Sequence, residues 1–371
     1  MALTASFVIG SAVVLFFGCL PAVLGGLKLQ GLLDEASVGR IMTVEMLALA
    51  ATATFGPRIM REGGRSIGIA LIGLVAINLL SWQTASTAVL YASRLISGLL
   101  SGLAFCAAVS VQMRTRQPER TSAVFFAISA IPQIIVGYFV PAQVIPVWGA
   151  GAGFLILASA FALGLPFAPL MRVPAATFKR STPTSRGWLR GSPVLVLIGA
   201  IILHNAGTGA GWTYAPLIGI ERGFPPDTVG LAVGGSLAAS LLGSVTFALL
   251  AWRLPSLSSL VVGLLVQAGV AVALAVLNSG PGYVMTFSCF GLLWMALLPF
   301  YVRPAVELDP SRQLATALFG IGLAGMALGP LVASFAVVPS SSANALLVAA
   351  SLMIAAALTY LGLRSLLKRP A

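Results

Sequence analysis

Acidic residues are nearly missing from this chain. Nine Asp and Glu stand against 21 Lys and Arg in 371 residues, and charged residues of both signs make up only 8%. A soluble domain carries roughly 25%. So few charges cannot cover a water-facing surface of this length, and the 58% of residues that are hydrophobic must face something other than water. Histidine occurs once, as His204, and cysteine three times, as Cys19, Cys106 and Cys289. Each cysteine lies inside an apolar run, so neither a disulfide framework nor a zinc site is expected. No P-loop pattern is present, which leaves ATP-driven transport by this chain alone without support. Cys19 follows Phe17 and Gly18 in a lipoprotein-like setting, but the first basic residue is Lys28, beyond the apolar run. A cleaved leader needs its positive charge first, so the first run is read as a retained helix.

What the chain does have is a succession of apolar runs with short polar breaks. A spanning helix needs about 20 mostly apolar residues. The runs predict helices at 5–26, 36–57, 66–84, 87–111, 121–143, 147–170, 193–218, 227–250, 256–277, 282–303, 312–337 and 343–364. Trp82, Trp148, Trp188 and Trp252 fall near span ends, where aromatic belts form.

The net charge of +12 follows this division. With the N-terminus inside, the inner loops and tail hold 17 basic residues, among them Arg58, Arg61, Arg65, Arg114, Arg116 and Arg120. The outer loops hold only Lys28, Arg40 and Arg222, and Arg94 lies within a span. That is the positive-inside pattern, and it replaces any nucleic-acid reading of the basic balance. The longest loop, 171–192, is polar, basic and rich in Pro and Ser, and reads as a linker. The expected architecture is therefore an all-α membrane protein of twelve transmembrane helices. Two six-helix pseudo-symmetric bundles, 1–170 and 193–371, flank a cytoplasmic linker, with both termini cytoplasmic. A weak internal echo supports duplication. Pro118-Glu119-Arg120 precedes the fifth helix, and Pro310-Ser311-Arg312 precedes the eleventh.

Between the second and third helices the chain reads Gly56-Pro-Arg-Ile-Met-Arg61-Glu-Gly63-Gly64-Arg65. This resembles the signature loop of the major facilitator superfamily, Gly-x-x-x-Asp-Arg-x-Gly-Arg-Arg/Lys. Gly56, Arg61, Gly63 and Arg65 match, and form the expected conformational loop. Met60 stands where the family has an aspartate that helps latch its two halves, so the resemblance does not carry that latch over. The fourth helix places Arg94, Gly98, Gly102 and Cys106 at intervals of four, one stripe along the helix. This resembles the family's second motif, an intramembrane Arg followed by Gly four residues on. In the eleventh helix, Gly325-Met-Ala-Leu-Gly329-Pro330 is similar to the bend motif that the family's antiporters carry in helix 5. Here it stands in the second-half counterpart, and close helix packing is its simpler reading.

Ionisable residues inside spans are functional candidates by default. Glu45 lies about eleven residues from Gly56, roughly 16 Å from the inner face and so near the midplane. It is the one acid well inside a predicted span and suits a proton carrier, with a structural hydrogen-bonding role as the alternative. Arg94 lies about 10 Å below the outer end. His204 is near midplane in the seventh helix, with Asn205 beside it and Trp212 and Tyr214 downstream. Gln133 in the fifth helix adds a further polar group, and Gln267 in the ninth is a weaker one. The resemblance implies that helices 1, 4, 7 and 10 line a central cavity, so Arg94 and His204 are expected to face one shared space. Pairing of Arg94 with Glu45 is the alternative. The expected substrate-binding set is Arg94, Gln133, His204, Asn205, Trp212 and Tyr214, and the proton-coupling set is Glu45 and Arg94.

The function expected is secondary active transport of a small organic solute, proton-coupled, by alternating access, in a bacterial inner membrane. Expected partners are the solute, protons and the lipid bilayer. No cofactor, metal or nucleic acid is expected, and the chain is read as a monomer. A membrane-embedded transferase would need a cluster of acids or histidines at a membrane face. The close pair Glu307 and Asp309, flanked by Arg303 and Arg312, reads instead as a salt-bridged loop. A non-transporting membrane sensor is the remaining alternative.

Overall fold

The computed structural model describes residues 1–59, 63–171, 192–309, 313–339 and 341–367. These residues are almost wholly helical. The long helices are α1 (Ala2–Leu29), α2 (Glu35–Ile59), α3 (Gly63–Gln83), α4 (Thr87–Gln112), α5 (Arg120–Trp148) and α6 (Ala152–Leu170). They continue with α7 (Ser192–Glu221), α8 (Pro226–Leu250), α9 (Ser256–Val276), α10 (Gly280–Leu308), α11 (Gln313–Ser334) and α12 (Ala343–Leu367). Among the described residues, eleven helices are long and apolar enough to cross a membrane, and α11 contributes the shorter apolar stretch Gly320–Ser334. Helices suit this setting because every backbone donor finds its acceptor within the same segment.

The expected spans are all helical, but some boundaries move. The fifth was expected to end at 143 and the sixth to begin at 147. Instead α5 absorbs Pro141 in a π-helical turn, Val140–Val144, and continues through Ile145–Trp148. The reversal falls at Gly149, whose φ of +81° only glycine adopts freely. In α10, Pro299 lacks the N–H that would continue the ladder, and the helix is interrupted at Leu298. The expected loop 56–65 is shorter than the sequence suggests, because α2 runs to Ile59 and α3 begins at Gly63. Gly56 is thus helical, Gly63 and Arg65 open α3, and Arg61 lies outside the described residues, as does most of the 171–192 linker.

Packing follows the small residues. In the segment 1–170, α4 lies along α2, and α3 packs on α4 and α6. Gly98 on α4 meets α2 so closely that a β-carbon there would lie 2.8 Å from Ala48 Cβ and collide with the Glu45 carbonyl. In the segment 193–371, α8 lies along α10, α7 packs on α11 and α12, and α9 packs on α12. Gly325 and Gly329 of α11 press on the backbone of Ile202 and Ala206 in α7, so this motif serves helix packing. The two segments meet through α2 against α11, α5 against α8 and α1 against α7.

Candidate functional site

An ionised side chain in hydrocarbon is expensive, by about 2.5–3.5 kcal/mol on insertion scales. The structure shows how Glu45 and Arg94 escape this. Both are buried, at 2% and 0% exposure. Arg94 Nη1 lies 3.5 Å from Glu45 Oε1. Arg94 Nη2 donates to Ser81 Oγ at 2.6 Å and to Asn78 Oδ1 at 3.1 Å. Ser97 Oγ donates to Glu45 Oε1 at 2.7 Å. The guanidinium stacks over the Phe154 ring at 4.6 Å, an added cation–π contact. Glu45 comes from α2, Asn78 and Ser81 from α3, Arg94 and Ser97 from α4, and Phe154 from α6. Two groups of this pair have no partner among the described residues: Glu45 Oε2, an acceptor, and Arg94 Nε, a donor.

His204 sits in a second polar core. Its Nε2 is 2.9 Å from Gln267 Oε1 on α9, and its Nδ1 contacts the hydroxyl of Tyr301 on α10. Gln267 Nε2 donates to the Phe290 carbonyl at 3.4 Å. With the Gln267 amide nitrogen so used, its oxygen accepts from His204 Nε2–H, and Nδ1 accepts from Tyr301. The Tyr301 ring stacks on Tyr360 of α12, centroids 6.5 Å apart and 12° from parallel. The interruption of α10 at Leu298 falls within one turn of Tyr301.

Arg94 and His204 are therefore not brought together. Among the described residues, the hydrogen-bond partners of Arg94 belong to 1–170, and those of His204 belong to 193–371. The small-residue stripe beneath Arg94 turns toward α2, not toward the second segment. The alternative pairing with Glu45 is the arrangement observed.

The remaining candidates lie elsewhere. Asn205 Nδ2 donates to the Ile201 carbonyl at 2.9 Å and its side chain faces Gly322 of α11. Gln133, half-buried, donates to the Ser129 carbonyl at 3.0 Å. Trp212 and Tyr214 are seam residues. Trp212 Nε1 donates to the Phe17 carbonyl at 3.1 Å, and the Tyr214 hydroxyl to the Glu35 carbonyl at 3.1 Å. Trp212 also packs on Phe287 and Trp294, with ring centroids 5.3 and 6.1 Å away. Sequence reasoning overlooked Asn78, Ser81, Ser97 and Tyr301. Ser97 carried a usable signal, since three residues after Arg94 puts it on the same helix face. A mostly apolar cleft of about 380 Å³ between α8, α9 and α10 is lined by Val262, Val266, Leu293, Leu297 and Phe300, with Ser258 and Ser259 also on its wall.

The run of long apolar helices defines a multi-pass helical membrane protein. The chain is similar over its whole length to solved structures of the nucleoside transporter NupG. A mutant form of that protein matches with a TM-score of 0.81 at 11% identity, covering 98% of this chain and 100% of the other. A second NupG structure matches with a TM-score of 0.77 at 12% identity, covering 100% of both chains. No family model and no curated protein matches the sequence.

Proposed function

We propose that this chain is a secondary active transporter of a small organic solute, working by alternating access and belonging to the major facilitator superfamily. The observation that carries the reading is the end-to-end fold similarity to a transporter, with a TM-score of 0.81 across 98% of the chain.

The disposition of polar groups supports a two-bundle working unit, 1–170 and 193–371. Asn78, Arg94 and Phe154 come from α3, α4 and α6. Gln267, Tyr301 and Tyr360 come from α9, α10 and α12, the same positions six helices later. Two units with self-contained polar cores suit rocking about a site between them. Nucleosides are the first solute class to test, because they are the named cargo of the structural relatives. Protons are the proposed coupling ion, and the Glu45–Arg94 pair is the proposed coupling element. Glu45 is buried, its ion pair is long at 3.5 Å, and its second oxygen is unpartnered among the described residues.

The test is uptake into proteoliposomes carrying the purified chain, with nucleosides, nucleobases and sugars supplied in turn across an imposed pH gradient. Accumulation of one class that collapses with the gradient is expected. Absence of accumulation for every class, together with no ligand-induced rise in melting temperature, would overturn the transport reading.

A further inference from the structure

One face of the molecule carries the turns 30–34 and 222–225 and the described residues 335–339 and 341–342. Charges from both segments meet there. Lys28, near the end of α1, places Nζ 3.0 Å from Glu35 Oε1 and 3.2 Å from Glu221 Oε1. Glu35 opens α2 and belongs to the same segment as Lys28. Glu221 closes α7 in the other. Glu221 is also held from its own side: its Oε2 accepts from Ser342 N at 2.8 Å, and its Oε1 from Ser342 Oγ at 2.9 Å. The three charged side chains keep only 10–16% exposure. Nearby, Tyr214 of α7 reaches the Glu35 carbonyl, and Arg40 of α2 lies over the Phe335 ring at 5.9 Å.

We propose that Lys28, Glu35, Glu221 and Ser342 form a charge-operated latch that holds this face closed. Opening moves Lys28 from a site shared by two carboxylates to Glu35 alone. The proposal rests on the alternating-access reading. Its distinguishing feature is what remains after the latch breaks. Lys28 keeps Glu35, because both ride on one segment. Glu221 keeps the N–H and O–H of Ser342, because both ride on the other. No charge is left bare, so the contact can open and reclose repeatedly. A permanent staple would instead strand an ion when parted, a heavily penalised event.

The experiment uses the full chain in nanodiscs, with Cys289 replaced by Ser and spin labels at Ala85→Cys and Asn278→Cys, both exposed on this face. Pulsed dipolar spectroscopy reads the distribution of distances between them. The unaltered latch should give a dominant short distance and a minor long one. Glu221→Gln preserves the side-chain shape and can still accept from Ser342, yet lacks the charge for Lys28. It should raise the long-distance population about 5-fold, the scale of a partly exposed ion pair. Lys28→Met should do the same, and Ser342→Ala should do less. Two populations that neither Glu221→Gln nor Lys28→Met shifts, in protein that melts at the parent temperature, would overturn the latch while leaving transport intact. A single population in every variant would overturn both the latch and the alternating-access reading.

Discussion

Arg94 uses its two terminal nitrogens differently, one toward Glu45 and the other toward Ser81 and Asn78. A lysine ammonium is a point donor and cannot reproduce that fork. Arg94→Lys is therefore expected to lose stability by about 1.5–3 kcal/mol, the worth of a hydrogen bond to a charged group. Glu45→Gln isolates the guanidinium and should cost about 3–5 kcal/mol as a broken buried pair, while the double change Glu45→Leu with Arg94→Met should cost much less. Melting of the detergent-solubilised protein measures all three. If Glu45 also carries the proton, Glu45→Gln should abolish gradient-driven accumulation while sparing solute exchange. Unchanged accumulation would remove Glu45 from the coupling path. Asp34 offers a separate residue-scale test. It lies just outside α2, and its Oδ1 accepts from Ser37 N at 2.6 Å, an N-terminal cap. Hydrogen bonds from the Ser37 side chain and then its backbone hold this carboxyl below its usual range, against partial burial. Its contribution is thus fully present above the ordinary aspartate value of about 3.9 and disappears as pH falls through the lower folded value. Asp34→Ala should lower stability by about 1 kcal/mol at neutral pH. The gap to the parent should close only in strong acid, as followed by melting temperature against pH.

At the scale of helices, α4 depends on its glycines. Gly98→Val would drive a branched side chain into the α2 backbone beside Glu45, where the carbonyl cannot retreat without moving the helix. Parting α2 from α4 would also stretch an ion pair that is already 3.5 Å long. The expected outcome is a drop in melting temperature larger than that of Arg94→Lys, together with lost uptake. Much of this level was legible in the sequence. Runs of about 20 apolar residues must be helical in lipid, so each predicted span has its helix. Counting 1.5 Å per residue marked Glu45, Arg94 and His204 as interior candidates, and all three side chains are buried. Azimuth was harder to read. The stripe through Arg94, Gly98 and Gly102 was visible, but a stripe of small residues does not say which neighbour it meets. The structure gives it to α2. The reversal after α5 also escaped, because Pro146 looks like a helix breaker until the π-helical turn Val140–Val144 is allowed for. Tyr301 was hidden for a related reason: it lies between Pro299 and Pro304, where an unbroken helix register cannot be projected.

For the whole molecule, the basic residues predict which way it sits. On the topology expected from the sequence, 17 of the 21 Lys and Arg fall on one side. On that basis Ser181→Cys, in the linker, should resist a membrane-impermeant thiol reagent in intact cells and react in inside-out vesicles. Asn278→Cys should behave oppositely. Labelling of Ser181→Cys from outside would invert the assignment, and with it the side on which the Lys28–Glu221 contact closes the protein.

The separation of the two polar cores also bears on how the protein is made. Glu45 finds Arg94 after 49 residues of chain, and His204 finds Gln267 after 63 and Tyr301 after 97. Neither core waits on the other. Once α4 and α6 have left the ribosome, the guanidinium has its carboxylate, its amide and its aromatic ring, and this buried pair needs no later helix. Segment 193–371 can then be completed against segment 1–170. Two polypeptides divided within residues 171–192 and synthesised together should for the same reason assemble into a working whole.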